Sequence, residues 1–141
     1  KYPFYLETNG ILLGADRSYA RKLSRFSKFI YVRVSFKAAT PEYFTRRTGA
    51  TGEYYELPFK ALKYLIDEGI HAKAAAMTDP RIMPGGERKI LIERLNEIDP
   101  AANYFTSLEE EQIDEYETTV KRLRAYSDTK YAKKLEEEIL E

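Results

Sequence analysis

Residues 28–37, KFIYVRVSFK, constrain this chain more than any other stretch. Ile30, Val32, Val34 and Phe36 alternate with Tyr31, Arg33, Ser35 and Lys37. A period of two marks a strand with one apolar and one polar face. Helical patterns lie on both sides of it, so it reads as the strand of a βα unit. Strands of parallel sheets are normally apolar on both faces, because helices cover both. The polarity of Arg33, Ser35 and Lys37 therefore needs a cause. The expectation is that this face lines the inside of an open barrel, where a polar ligand sits.

The flanking sequence supplies further units of the same kind. Residues 2–9, YPFYLETN, alternate as a short strand with Phe4 and Leu6 on one side and Tyr5, Glu7 and Asn9 on the other. Gly10 and Gly14 loosen a following loop, Asp16 is placed as an N-cap, and Tyr19, Leu23 and Phe26 recur at helical spacing. Beyond Lys37, Thr40-Pro41-Glu42 opens a short helix closed by Gly49. A longer helix over about 54–68 buries Phe59, Leu62, Leu65 and Ile66 and ends at Gly69. Residues 70–78 read as a third strand, with Ala72, Ala74 and Ala76 on one face and His71, Lys73, Ala75 and Met77 on the other. A helix over about 87–97 carries Ile90, Leu91 and Leu95, and Pro100 blocks its continuation. Residues 103–113 are ambiguous between extended chain and loop. Helices are expected over 114–125 and 128–141, and the glutamate triplets 109–111 and 136–138 as solvated surface.

Strands alternating with helices imply a parallel sheet with right-handed crossovers. Three strands cannot close a barrel of that kind. The class is therefore α/β, with parallel βα units forming either a small open sheet or part of a larger, TIM-like barrel, plus extra C-terminal helices. The division is residues 1–100 for the partial barrel and 101–141 for a helical extension. The chain opens at Lys1 directly on a strand-like run, as an excised portion of a longer protein would.

Composition removes several function classes. The 141 residues carry 23 basic and 23 acidic side chains, and this neutrality argues against general electrostatic binding to nucleic acid or anionic lipid. No apolar run approaches the roughly 18–20 residues of a membrane span. With no cysteine there is no disulfide, thiolate metal site or cysteine nucleophile, which fits a cytoplasmic protein. Clustered ligands for a protein-held metal are not visible, so no metal residue is assigned. His71, the single histidine, opens a strand and reads as a surface or packing residue. The glycine pairs Gly49/Gly52 and Gly85/Gly86 lack phosphate-loop spacing. What remains is polar residues on strand ends or one inward face: Glu7, Thr8 and Asn9; Arg33, Ser35 and Lys37; His71, Lys73 and Met77. Ligand sites of parallel α/β folds lie at the carboxyl ends of strands. These residues are either such a site, or interior ion pairs, for instance Glu7 with Arg33 or Lys73, or residues at an exposed edge of a small sheet.

Three motifs in order carry a resemblance: ETNG at residues 7–10, RVSFK at 33–37, and a loop with "TG" leading into ALKYLIDEGI at 61–70. Together they resemble the later part of the radical S-adenosylmethionine superfamily barrel, most like its activating enzymes of the pyruvate formate-lyase type. The resemblance spans roughly residues 3–100. It implies that Glu7 and Thr8 lie near the amino and carboxylate groups of S-adenosylmethionine, with Asn9 and Gly10 completing that strand end. It implies that Ser35 and Lys37 face the cofactor, and that Met77 packs near the adenosyl group. Ser35 stands where the family commonly has Asp. The cluster-binding CxxxCxxC loop is missing, and Gly85-Gly86-Glu87 is not in the place of the family's GGE strand end.

The function implied is the C-terminal part of a radical S-adenosylmethionine enzyme, contributing cofactor-positioning and substrate-wall residues. The full-length parent would cleave S-adenosylmethionine reductively to a 5′-deoxyadenosyl radical, using a [4Fe–4S] cluster. This chain alone would hold neither group firmly and would be inactive. Its first partner would be the N-terminal portion of the same protein, and its open sheet edge could pair with a second copy. The alternatives are a standalone, non-catalytic α/β interaction or ligand-binding domain, and a phosphate-binding barrel fragment, for which DPRIMPGG is a poor glycine turn.

Overall fold

The computed structural model describes residues 2–113 and 116–125. Four strands, β1 (Phe4–Thr8), β2 (Ile30–Phe36), β3 (His71–Met77) and β4 (Glu109–Glu111), form one sheet in the order β1-β2-β3-β4. Every neighbouring pair is parallel. Helices α1 (Ile11–Ala15), α2 (Ser18–Ser24), α3 (Pro41–Thr48), α4 (Leu57–Asp67), α5 (Gly85–Ile98), α6 (Tyr104–Ser107) and α7 (Glu117–Ala125) connect and follow them. The class is α/β with an all-parallel sheet. Strands that neighbour one another in chain order, joined by crossovers of one hand, send their helices to one side of the sheet.

Burial follows that topology. Ile30, Val32, Val34 and Phe36 of β2 are all buried, and they share a core with Phe59, Leu62 and Leu65 of α4 and Leu91, Ile92 and Leu95 of α5. Phe36 meets Phe59 at 4.8 Å between ring centres, and Phe59 meets Tyr55 at 5.2 Å. The Tyr55 hydroxyl donates to the Ala39 carbonyl, so its one polar group is satisfied inside. Ala74 and Ala76 of β3 turn into the same core. Alanine is a weak strand former alone, but here small side chains leave room for α4 against a strand that has neighbours on both edges.

Several local expectations change. The loop expected after residue 9 contains α1. Gly14 lies inside that helix because a Cβ there would sit 2.0 Å from the Leu57 carbonyl oxygen, so close helix contact requires glycine. Gly10 takes φ 76°, the left-handed region open to glycine. Asp16 does not occupy the N-cap position, which falls to Arg17. Its carboxylate instead accepts from the Ser18 amide and hydroxyl at 2.8 and 2.9 Å. Tyr19 and Phe26 are exposed, and α2 buries Ala20. The helix expected from about 54 opens as a 3-10 turn over Gly52–Glu56 before α4 begins. In α5, Ile92 is buried in place of Ile90, and Glu87 is buried with it.

The acidic triplet at 109–111 is a correction of another order. It forms β4, pairing with Ala75, Ala76 and Met77, and is not a free solvated face. Three glutamates have little strand propensity; arginines on both sides of the sheet hold them there. By contrast, Thr40 behaves as read: its Oγ1 accepts from the Tyr43 amide at 3.3 Å, Pro41 takes the first helical turn, and Gly49 closes α3 at φ 73°. The helix expected from 114 is seen as Glu117–Ala125; the one expected over 128–141 and the triplet at 136–138 lie outside the described residues. Among the described residues no helix is long and apolar enough to cross a membrane.

The contact at Gly14 gives a test. Gly14→Ala forces α1 away from α4 and should destabilise by about 1–3 kcal/mol, the usual range for overpacking. Urea unfolding measures it. Gly85→Ala is the control, since a Cβ there meets nothing within 4 Å; its midpoint should hold or rise.

Candidate functional site on the bare sheet face

The face of the sheet away from the core presents polar and aromatic residues in rows. Register and alternation fix the rows. Tyr5, Tyr31 and His71 form the lowest, at the amino ends of the strands. Tyr5 stacks on Tyr31 at 5.2 Å, and His71 meets Tyr31 edge-on at 5.0 Å. Glu7, Arg33 and Lys73 form the next row, and Ser35, Ala75 and Glu109 the one above. Carrying the β2–β3 register one residue past Phe36 puts Lys37 level with Met77, which pairs with Glu111.

Arg33 ties these rows together. Its Nη1 reaches Glu7 Oε1 at 3.0 Å, its Nε reaches Glu109 Oε2 at 2.6 Å, and its Nη2 reaches Glu111 Oε1 at 2.7 Å. One side chain from β2 thus holds β1 on one flank and β4, two strands away, on the other. To reach β4 it must pass over β3, where Ala75 offers a single methyl and is wholly buried. Lys73 adds a contact to Glu109 at 3.4 Å. The Arg33 guanidinium is held well above its ordinary pKa, chiefly by the hydrogen bond to Glu109, with burial opposing. Glu109 is correspondingly lowered, chiefly by Arg33.

Glu110 points to the other side of β4. It accepts from Arg88 Nε at 2.8 Å and from the Thr78 hydroxyl at 2.6 Å. The Arg88 bond, which outweighs burial, pulls its carboxyl down to about 2. Asp79 is likewise brought to about 2, chiefly by its bond to Arg81, and its Oδ2 accepts from the Ile113 amide at 3.1 Å. The segment leaving β4 is thereby tied back to the loop after β3.

A second ion pair sets the loops at the carboxyl ends. Arg47 and Glu87 have side chains only 9% and 3% exposed and meet in two parallel bonds of 2.6 Å. Arg47 also donates to the Lys37 and Ile82 carbonyls, and Glu87 accepts from the Ala39 amide. A buried pair of this kind recovers its desolvation cost only when its remaining bonds are made. Here they fix the backbone on which Lys37 stands. Glu87, part of the GGE string, is committed to this clamp.

The six residues singled out from sequence separate into two groups. Ser35 and Met77 share the bare face near the carboxyl ends, and Lys37, one residue past β2, joins them if the alternation continues. Glu7 shares the face but lies level with Arg33, four residues below Lys37, or about 13 Å at a rise of about 3.3 Å per residue. The expected Glu7–Arg33 pairing is present. Thr8 alternates to the helix side, level with Val34, and its Oγ1 accepts from the Gly10 amide at 3.1 Å. Asn9 Oδ1 accepts from the Ile11 amide at 3.1 Å. Both close the turn into α1.

Arg33 and Lys73 carried no assigned role in the sequence, although alternation placed both on the polar face. Glu109 and Glu111 left no readable signal, because a three-residue strand has too few positions to display a period. A recess of about 400 Å³ lies on the lower rows between Tyr5, Glu7, Tyr31, Arg33, His71 and Lys73. Among the described residues no cluster of three or more His, Cys, Asp or Glu could hold a metal ion.

Two outcomes follow. Ala75→Leu should push Arg33 off its path and free β4, and Arg33→Ala should leave three carboxylates facing one another; each should cost on the order of 1–2 kcal/mol. Amide exchange at residues 109–111 reads both. Acid should have a related effect. Glu109 and Glu110 titrate below their ordinary value of 4.5 in the folded chain. A depressed carboxylate stabilises fully above the unfolded pKa and loses that contribution as pH falls through the folded one. β4 should therefore detach between about pH 4.5 and 2, visible as loss of protection at 109–111 before the core strands open.

Comparison with protein-family models, with curated proteins and with solved structures finds no match to this chain.

Proposed function

We propose that this chain is the C-terminal part of a radical S-adenosylmethionine-type barrel and contributes cofactor-positioning and substrate-wall residues. The observation that carries the reading is a parallel sheet in chain order whose helices, among the described residues, leave one face bare and polar. Parallel sheets are found with both faces covered. A face bearing Arg33, Ser35, Lys37, Lys73 and three glutamates suits a wall that closes around a polar ligand. The order ETNG, SFK and the TG loop supports the family.

The fit to the cofactors differs between them. No cysteine exists in the chain, so a [4Fe–4S] cluster would have to be held by residues outside it. In this reading Ser35, Lys37 and Met77 would contact S-adenosylmethionine, the Lys37 ammonium meeting a carboxylate and Met77 an apolar surface. Glu7 would contribute only an oxygen that Arg33 does not hold. Thr8 and Asn9 would shape the turn and not touch the ligand. Bound beside a cluster, the cofactor would supply radical chemistry for hydrogen abstraction from a substrate. The residues of this chain bind, orient and exclude water.

The rival is a standalone, non-catalytic α/β domain. Its support is Arg33, whose contacts partly satisfy the polar face without further chain.

The coding sequence upstream of Lys1 separates the two. A CxxxCxxC motif within the roughly 80–120 residues that complete a barrel is expected; its absence would sink the proposal. The longer protein, reconstituted anaerobically and reduced, should form 5′-deoxyadenosine, and Lys37→Ala should slow this at least ten-fold. The chain of 141 residues by itself should bind S-adenosylmethionine more weakly than micromolar, and tight binding in a calorimetric titration would count against a missing half-site.

A further inference from the structure

β4 begins only at Glu109, level with Ala75, so the lower half of β3 lacks a paired strand on that edge. The chain approaches β4 through a 3-10 turn over Pro100–Ala102 and then α6. Among these segments, β3 and the end of α4 lies a cavity of about 650 Å³, a size that suits a small organic ligand. Ile66, Ile70, Ala72 and Leu108 give it an apolar wall.

Two polar groups on the wall lack partners. Tyr104 is only 3% exposed and its amide donates to Asn96 Oδ1 at 2.7 Å, but its hydroxyl has no hydrogen-bond partner among the described residues. A buried tyrosine hydroxyl normally has one. Asp99 caps the C-terminal end of α5, and its carboxylate meets no cation and accepts no hydrogen bond among the described residues. The last turn of α5 carries no basic side chain, so this charge adds to the negative end of a 14-residue helix. Burial, and after it the Asp99 charge, pushes the Tyr104 hydroxyl up to about 12, so it stays protonated and the two groups act on each other. The other charges on the wall are already paired, Lys73 reaching Glu109 at 3.4 Å, while His71 packs edge-on against Tyr31.

A ligand filling the cavity would take water from Asp99. A neutral ligand would leave that charge unpaired, and an anion would be repelled. An ammonium group compensates the carboxylate, and the Tyr104 oxygen can accept another of its protons.

We propose that this cavity binds a small organic amine, its ammonium shared between the Asp99 carboxylate and the Tyr104 hydroxyl oxygen, and its apolar body against Ile66, Ile70 and Leu108. The site lies at the lower edge of β3, apart from the residues assigned to S-adenosylmethionine, and it stands or falls without that reading.

The test is a nuclear magnetic resonance titration of the chain with three ligands of one apolar body: phenethylamine, 2-phenylethanol and 3-phenylpropionate. The amine should shift Ile70, Asp99, Tyr104 and Leu108 saturably, bind roughly ten-fold tighter than the alcohol, and leave the carboxylate weakest. Asp99→Asn, which removes a charge that holds no contact in the fold, should bring amine and alcohol together. Tyr104→Phe should weaken the amine by roughly three-fold and keep its preference over the alcohol. If Tyr104→Phe unfolds the chain, Asp99→Asn decides alone. Glu97→Gln, an exposed position on the same helix that does not line the cavity, is the control and should change nothing.

An alcohol binding within two-fold of the amine would overturn the proposal, as would selectivity that survives Asp99→Asn. So would the absence of saturable shifts at these residues, or a loss in Glu97→Gln equal to that in Asp99→Asn, which would mean diffuse attraction to the helix end.

Discussion

A single guanidinium, Arg33, lets this sheet keep a polar face. Its three contacts run to β1 and, across β3, to β4. Without them Glu7 and Glu111 would lose the Arg33 charge and Glu109 would keep only Lys73, and nothing apolar on that side would hold a three-residue strand in place. Hydrogen bonds between ionised groups are stronger than neutral ones and are strongest where water is partly excluded. Arg33 is about one-quarter exposed, and β4 hangs on that intermediate environment.

The two faces of the sheet follow different physics. The helix side is held by apolar burial, with Val34, Phe36, Leu62, Leu65, Leu91 and Leu95 all near zero exposure. Apart from the ion pairs of Glu87 and Glu110 at its upper end, it depends little on pH or salt. The bare side is held by charge and aromatic contact, and it depends on both. A structure with one rigid, insensitive face and one face of paired charges suits a wall whose polar side meets a ligand, because charged groups already fixed in place need little reorganisation on binding. The Arg47–Glu87 clamp extends this rigidity to the loop that carries Lys37.

The sequence was informative wherever a period had room to appear. Seven residues of β2 displayed their alternation, and the face carrying Arg33, Ser35 and Lys37 followed from it. Thr40, Pro41 and Gly49 marked α3 because capping chemistry is local. Five residues of α1 and three of β4 are too few for either period, so in sequence one reads as a loop and the other as solvated surface. Gly14 looked like flexibility and is close contact, since a glycine's reason lies in what its missing Cβ would strike. Thr8 and Glu7 are adjacent in a motif yet face opposite sides, which alternation alone dictates.

What the chain determined by itself is the set of elements with local causes: alternating strands, capped helices, and an apolar stripe for each long helix. These depend on neighbours within a few residues and are therefore readable in one dimension. The tertiary structure alone decided which polar side chains become partners. Arg33 meets Glu109 and Glu111 across more than seventy residues of sequence, and Arg47 meets Glu87 across forty. Those pairings depend on strand order and register, which long-range packing sets, and charge acts only once packing has brought the groups within a few ångströms.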